Sequence, residues 1–305
     1  MRVYDCFTFY NELELLELRL KALWDVVDCF VIVEADKKHT NEPKPFYFWE
    51  RQDEFREFFS KIRHLPVEMT VDFKGVGDWS IENAQRDAIA YGLSDAAPDD
   101  LIMISDLDEI PSPDVFRRLK ENTIRLTIPY FVPENQQGFF LIPSTISAND
   151  YLEYGAIALE QNRYYYYFDL MNSNIFTDTV LTKRKNLTTP QELRNLKDKF
   201  PRVSEGGYHF SYMGGVDRVI NKMTSIVDGN AIVVHSGGKL IDRKHIEEAL
   251  ANGTDIYNRP NLPETQFHYC DAKNIRLPYL DEFLRKYPNF LREPEKYFGG
   301  SYGEK

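Results

Sequence analysis

The densest chemistry in the chain sits just after one apolar run. Leu101–Ser105 (Leu-Ile-Met-Ile-Ser) reads as a strand buried on both faces, and it runs directly into Asp106-Leu107-Asp108-Glu109-Ile110-Pro111. Three acids in four residues repel one another unless a cation compensates them. A hard divalent ion, Mn2+ or Mg2+, takes oxygen ligands and suits such a cluster. Residues two apart in extended backbone point the same way. Asp106 and Asp108 are therefore expected on one side, with Leu107 turned back into the core. An ion held there would most usefully bridge a diphosphate. The plainer alternative is that Asp108 or Glu109 caps the next helix, but Ser112 followed by Pro113 already supplies a helix start.

The elements that must position this loop are those of an α/β fold. Val3–Phe9 reads as a first strand. Asn11 follows as a helix cap, with Glu14 in the capping-box position and Leu13, Leu16, Leu20 and Leu23 on one helical face. Cys29–Glu34 is a nearly continuous apolar run, as in a parallel sheet covered on both faces. A second helix is expected from Ser80 to Tyr91, ended by Gly92. The alternation through residue 120 predicts a mostly parallel central sheet. Beyond it, Arg125–Val132, Gly138–Pro143 and Tyr164–Leu170 read as strands or loops, and residues 132–160 as a divergent stretch. The segment Gly206–Gly215 reads as a glycine-rich structured loop. Helices are expected near Val216–Ile226, Arg243–Asn252 and Tyr279–Tyr287. No stretch has linker composition, so 1–305 is expected to be one domain, with a binding half over 1–120 and a second half over 121–305.

Composition narrows the function. The chain has 305 residues, 37 Lys and Arg, 48 Asp and Glu, and a formal net charge of −11. That balance disfavours a nucleic-acid partner, which needs a basic face, although a modified base as acceptor stays open. No apolar run approaches a membrane span of about 20 residues. The first residues do not form a signal peptide. Cys6, Cys29 and Cys270 show no metal-binding spacing and read as thiols in a reducing compartment. A cytoplasmic protein is expected.

Several segments, in order, resemble glycosyltransferase family seventeen. They are Tyr4–Phe7, Asn11–Leu20, Asp25–Asp28, Phe30–Glu34, Lys44-Pro45, Glu82–Ile89, Ser105–Pro111, Tyr164–Phe168, Gly207–Ser211 and Gly253–Arg259. Tyr208 stands where the family typically has Trp. The resemblance implies a GT-A-like fold, a UDP-sugar donor (by analogy UDP-N-acetylglucosamine), a Mn2+ or Mg2+ ion, inversion at the anomeric carbon and a carbohydrate or other hydroxyl acceptor. It places Asp106, Asp108 and His209 around the metal, Asp108 as the likelier direct ligand, and Asp106 also near the ribose. Glu109 lies behind them or faces the sugar. Asn11, Glu12 and Glu34 stand on the rim where a base or ribose would sit. Glu82, Gln85 and Arg86 are candidates for the diphosphate or the metal loop, and Lys44 and Arg259 for phosphate contact. The general base is an acid of the second half: Glu205, Asp178 or Asp217. Two other readings stay open: a non-catalytic nucleotide- or carbohydrate-binding protein on the same scaffold, and a phosphatase of the haloacid dehalogenase type with Asp106 as nucleophile.

Overall fold

The computed structural model describes residues 1–131, 139–259, 262 and 265–299. Its centre is one mixed sheet. The strands are β1 (Val3–Phe9), β2 (Cys29–Ala35), β3 (Ile62–Val67), β4 (Leu101–Asp106), β5 (Glu109–Pro111), β6 (Arg125–Phe131), β7 (Phe139–Ser147), β8 (Ala156–Tyr165), β9 (Leu170–Lys183), β10 (Arg202–Ser211) and β11 (Phe267–Tyr269). The helices are α1 (Leu13–Leu23), α2 (Tyr47–Arg51), α3 (Ser80–Asp87), α4 (Pro113–Lys120), α5 (Ala148–Leu152), α6 (Pro190–Asn195), α7 (Val216–Ser225), α8 (Val227–His235), α9 (Arg243–Asn252), α10 (Leu280–Lys286) and α11 (Pro294–Phe298).

Strand order is β3-β2-β1-β4-β9-β8-β10-β6-β7, with β5 paired to β10 and β11 to β9. The first four strands are mutually parallel. β9 then runs antiparallel to both β4 and β8, and β8 is parallel to β10. The expected mostly parallel sheet is thus the N-terminal part of a larger mixed one. Side-chain alternation explains its apolar strands. Phe7, Phe9, Phe30, Ile32 and Met103 enter one core with α1 and α4, while Tyr4, Cys6, Val31, Val33, Ile102 and Ile104 enter a second core with Ala88, Ile89 and Leu93. A strand covered on both faces has no polar side to show in its sequence.

Several local expectations change. α1 begins one residue late: Glu12 occupies the cap position and no side chain caps it, because Asn11 offers its carbonyl to Leu13 instead. Ser112 holds the cap position of α4, also without a side-chain bond. The second helix is α only over Ser80–Asp87 and tightens into a 3-10 segment at Ala88–Leu93. Gly92 lies inside that segment. A Cβ there would come 2.4 Å from Val31 Cγ1, so the glycine permits close packing rather than ending a helix. The glycine-rich segment is largely strand: 206–211 belongs to β10. Gly207 has φ +146°, and a Cβ on it would meet the Ile110 carbonyl at 2.4 Å, so only glycine lets β10 lie against β5. α8 was not expected at all. Val132 and Gly138, at the ends of two expected strands, lie outside the described residues.

One buried ion pair organises the acid loop from below. Arg19 on α1 and Asp5 on β1 are fully buried and joined at 2.8 and 2.5 Å. The same guanidinium donates to Ser105 Oγ (2.6 Å) and to the backbone carbonyls of Asp106 (2.9 Å), Leu107 (3.0 Å) and Glu109 (2.9 Å). Arg19→Met strands the Asp5 charge and three carbonyls, and is expected to destabilise by about 3–5 kcal/mol. Urea denaturation measures this. A loss below about 1 kcal/mol would mean the pair is dispensable.

Candidate active site

The carboxyl ends of the parallel strands open into a cleft of about 640 Å³. Ligands of open α/β sheets bind in this position. β4 ends at Asp106, residues 107–108 turn, and β5 leads away pairing with β10, so that His209 lies opposite Glu109. The Phe210 amide donates to the Asp108 carbonyl at 2.8 Å, fixing β10 against the turn. Leu107 joins the core as expected.

Asp106 keeps about a third of its side chain open (34%). It accepts from Arg86 Nη2 (2.8 Å), Arg194 Nη2 (3.1 Å) and Thr8 Oγ1 (3.1 Å). Burial opposes its charge, but Arg86 and Arg194 outweigh that and hold its carboxyl well below the usual range. Glu109 is buried and turned inward. Arg194 forks onto both its oxygens (2.8 and 2.9 Å), and one oxygen accepts the Asp106 amide at 2.9 Å.

Asp108 faces the opposite wall. Lys222 Nζ on α7 lies 2.6 Å from its Oδ2, and His209 Nε2 lies 3.6 Å from the same oxygen. Despite burial, Lys222 and His209 hold Asp108 ionised. His209 Nδ1 lies 2.8 Å from Asp178 Oδ2. Asp178 is itself held by Arg163 (3.1 Å) and Lys197 (2.8 Å). Arg163 Nε also approaches His209 Nδ1, at 3.2 Å. Assigning the Nδ1 proton to the shorter contact, with Asp178, leaves Nε2 for the cleft. Burial and Arg163 disfavour the imidazolium, but Asp108 and Asp178 win and raise the His209 pKa.

A divalent ion fits this donor set. Asp108 and His209 present a carboxylate oxygen and an imidazole nitrogen to the same space, a mixed set Mn2+ accepts. Asp178 on Nδ1 is the kind of outer carboxylate that orients a ligating imidazole. Glu109, Asp178 and His209 also bring donor atoms within 4.8 Å of one another. There Arg194 forks onto Glu109, and Arg163 and Lys197 share Asp178, whereas Asp108 is held by the single ammonium of Lys222 besides His209.

The other expected residues divide. Glu12, Lys44, Glu82, Gln85, Arg86 and Arg259 line the cleft. Of these, Gln85 also ties strand ends together through the Val33 (2.9 Å) and Phe9 (3.3 Å) carbonyls, and Arg259 forks onto Asp255. Lys44 is buried between the Tyr10 and Tyr47 rings, and burial lowers its pKa. Glu34 does not reach the cleft. It is fully buried, bonded to the Phe48 amide (3.1 Å) and His64 (3.0 Å), with Lys44 at 3.7 Å, and so anchors the 36–49 loop. Asn11 borders only a smaller neighbouring hollow. Glu205 sits exposed at an irregularity of β10, and Asp217 is exposed and paired with Arg243. Neither lines the cleft. Asp178 does, but three basic groups hold it, which makes it a poor proton acceptor.

Residues 1–127 match glycosyltransferase family 17. This family-17 stretch contains β1 to β5, α1, α3 and the whole 106–109 turn. The chain is also 31% identical over 121 residues to the β-1,4-mannosyl-glycoprotein 4-β-N-acetylglucosaminyltransferases of Rattus norvegicus and Homo sapiens. The matched stretch is 37% of this chain and 22% of each relative.

Four cations paired with the acids of the site were not singled out from sequence: Arg163, Arg194, Lys197 and Lys222. They lie outside the family-17 stretch, on β8, α6, the turn after it and α7, and only tertiary structure brings them to the acids. Asp228 on α8 was also missed. It lines the cleft, and among the described residues no cation or side-chain donor meets it. Burial and the nearby Glu82 raise its pKa. Arg194→Met, which removes three bonds to Glu109 and Asp106, is expected to cost about 3 kcal/mol. Glu205→Gln, on an exposed bulge, should stay within about 0.5 kcal/mol. Paired urea titrations compare them, and equal effects would contradict the assigned geometry.

Proposed function

We propose that the protein is a metal-dependent, inverting glycosyltransferase on a GT-A-like fold. In this reading it moves N-acetylglucosamine from UDP-N-acetylglucosamine to a hydroxyl of a glycan or similar acceptor. The observation that carries the reading is the Asp106–Glu109 turn facing His209 inside the cleft, within and beside the stretch that matches family 17. Among the described residues no helix is long and apolar enough to cross a membrane.

Asp108 and His209 would hold Mn2+ or Mg2+, which supplies Lewis-acid support for the leaving diphosphate. Asp178 keeps the imidazole in the tautomer that offers Nε2. Asp106, steadied by Arg86 and Arg194, faces the nucleoside side of the turn beside Thr8 and is assigned to the ribose. The acceptor hydroxyl must lose a proton as it attacks. Asp228 is assigned that task, because among the described lining carboxylates only it and Glu12 lack a cation partner, Glu12 accepts the Asn11 amide, and the raised pKa of Asp228 suits a base. The haloacid-dehalogenase alternative needs Asp106 as a free nucleophile. Two guanidinium groups and the Thr8 hydroxyl restrain it here, which disfavours that reading.

UDP is expected to raise the melting temperature when Mn2+ is present and to lose that effect in EDTA, since ligands of the native state stabilise it by mass action. Asp108→Asn should lose both the Mn2+-dependent shift and turnover of UDP-N-acetylglucosamine. Asp228→Asn should keep the shift and lose at least about 100-fold in turnover, the scale of general-base catalysis. Equal stabilisation by UDP with and without Mn2+ would overturn the metal-bridged reading. A normally active Asp228→Asn would remove that residue from the chemistry.

A further inference from the structure

The cleft does not share the acidity of the chain. Nine Lys and Arg side chains line it against seven Asp and Glu, in a protein of net charge −11. Most of the basic groups nearest the acid turn are committed. Arg194 bridges Glu109 and Asp106, Arg86 bridges Glu82 and Asp106, and Arg163 and Lys197 share Asp178. Their partners are part of the scaffold, so moving any of them strands a buried carboxylate.

Lys222 is different. Among the described residues Asp108 is its one hydrogen-bonded carboxylate, at 2.6 Å, with Glu12 and Asp106 acting on it from farther off, and its ammonium also lies 5.2 Å from the Tyr212 ring centroid. About a fifth of its side chain (22%) is open to the cleft. Its stem belongs to α7, whose end is tied to the rim of β1 where Tyr10 Oη meets Asn221 and Ser225 at 3.2 Å. The ammonium is therefore held by the scaffold at the acid turn, while the carboxylate it bonds, Asp108, is the group best placed to receive a metal ion.

We infer that Lys222 is a ligand for the donor's phosphate, and that it exchanges Asp108 for the terminal phosphate of the nucleoside diphosphate when Asp108 takes up the cation. The inference rests on the nucleotide-sugar reading above. It follows from charge pairing. A buried ammonium that loses its carboxylate needs another anion, because an unpaired buried charge is strongly unfavourable. The entering phosphate is the one new anion in the cleft. Before binding, Asp108 is paired with Lys222. After binding, Asp108 would hold the ion that compensates the diphosphate, and the Lys222 ammonium would pair with the terminal phosphate in place of Asp108. No charge is left alone at either stage. Lys222 would thus do two things with one side chain: keep Asp108 ionised and in place before the donor arrives, and share the charge that develops on the leaving diphosphate.

The test compares UDP with UMP, which lacks the terminal phosphate, by calorimetry in Mn2+. Wild-type protein should bind UDP more tightly than UMP. Failure of the wild type to bind UDP would overturn the donor reading and this inference with it. In Lys222→Met the UDP affinity is expected to fall about 10- to 100-fold, the range of a lost charge-assisted bond, while UMP affinity changes less than about threefold. Lys222→Arg should recover most of the UDP affinity. Lys222→Gln, which keeps a hydrogen bond to Asp108, takes the place of the methionine variant if that does not fold. Equal weakening of UDP and UMP would show that Lys222 only supports the fold of the site. Unchanged UDP binding would show that it does not meet the phosphate.

Discussion

Everything in the site depends on how Arg19 is buried. An arginine with no solvent exposure must satisfy all its donors internally. Asp5 satisfies one edge, and the remaining donors reach Ser105 and three consecutive-region carbonyls of the acid turn. With the carbonyls of 106, 107 and 109 drawn down towards α1, the turn has a fixed backbone on which Asp106 and Asp108 can face the cleft. The first strand, the first helix and the turn after β4 are thereby one unit, although 87 residues separate Arg19 from Asp106.

Above that unit the governing constraint is charge. Asp106, Asp108, Glu109 and Asp178 crowd four carboxyl groups into one site, a repulsion that needs compensation. The second half of the chain supplies it through Arg163, Arg194, Lys197, His209 and Lys222. This division explains why the two halves cannot be read separately. The N-terminal stretch that matches family 17 contributes Asp106, Asp108 and Glu109, and the elements beyond it contribute Asp178, most of the basic groups and one wall of the cleft. The same arrangement gives a net-negative chain a cleft in which basic side chains outnumber acidic ones.

The sequence was most legible where period and local chemistry agree. Leu101–Ser105 could only be a doubly buried strand, so the acids after it had to lie at the carboxyl end of a sheet. Arg243–Asn252 shows a helix period and is a helix over those residues. It was less legible where the deciding contact is distant. Gly206 and Gly207 suggested a loop because glycine is common there. Here Gly207 is needed for the close approach of β10 to β5, which no local pattern shows. Val227–His235 has little amphipathic contrast, so its helix left no stripe to find. Glu205 and Asp217 were plausible bases by position along the chain, but a bulge and an exposed helix start carry them out to solvent. Arg194 and Lys222 were hidden for a simpler reason. Each looks like an ordinary solvated charge on a helix until the acids it neutralises are brought against it.

As proposed, Asp108 and His209 would hold a divalent ion against a nucleoside diphosphate. Electron spin-echo spectroscopy of the Mn2+ complex with UDP tests it most directly, because it detects the nuclei next to the metal. The account predicts phosphorus coupling from UDP together with nitrogen coupling from one imidazole, the latter lost in His209→Ala. Phosphorus coupling with no imidazole nitrogen in the wild-type complex would contradict it.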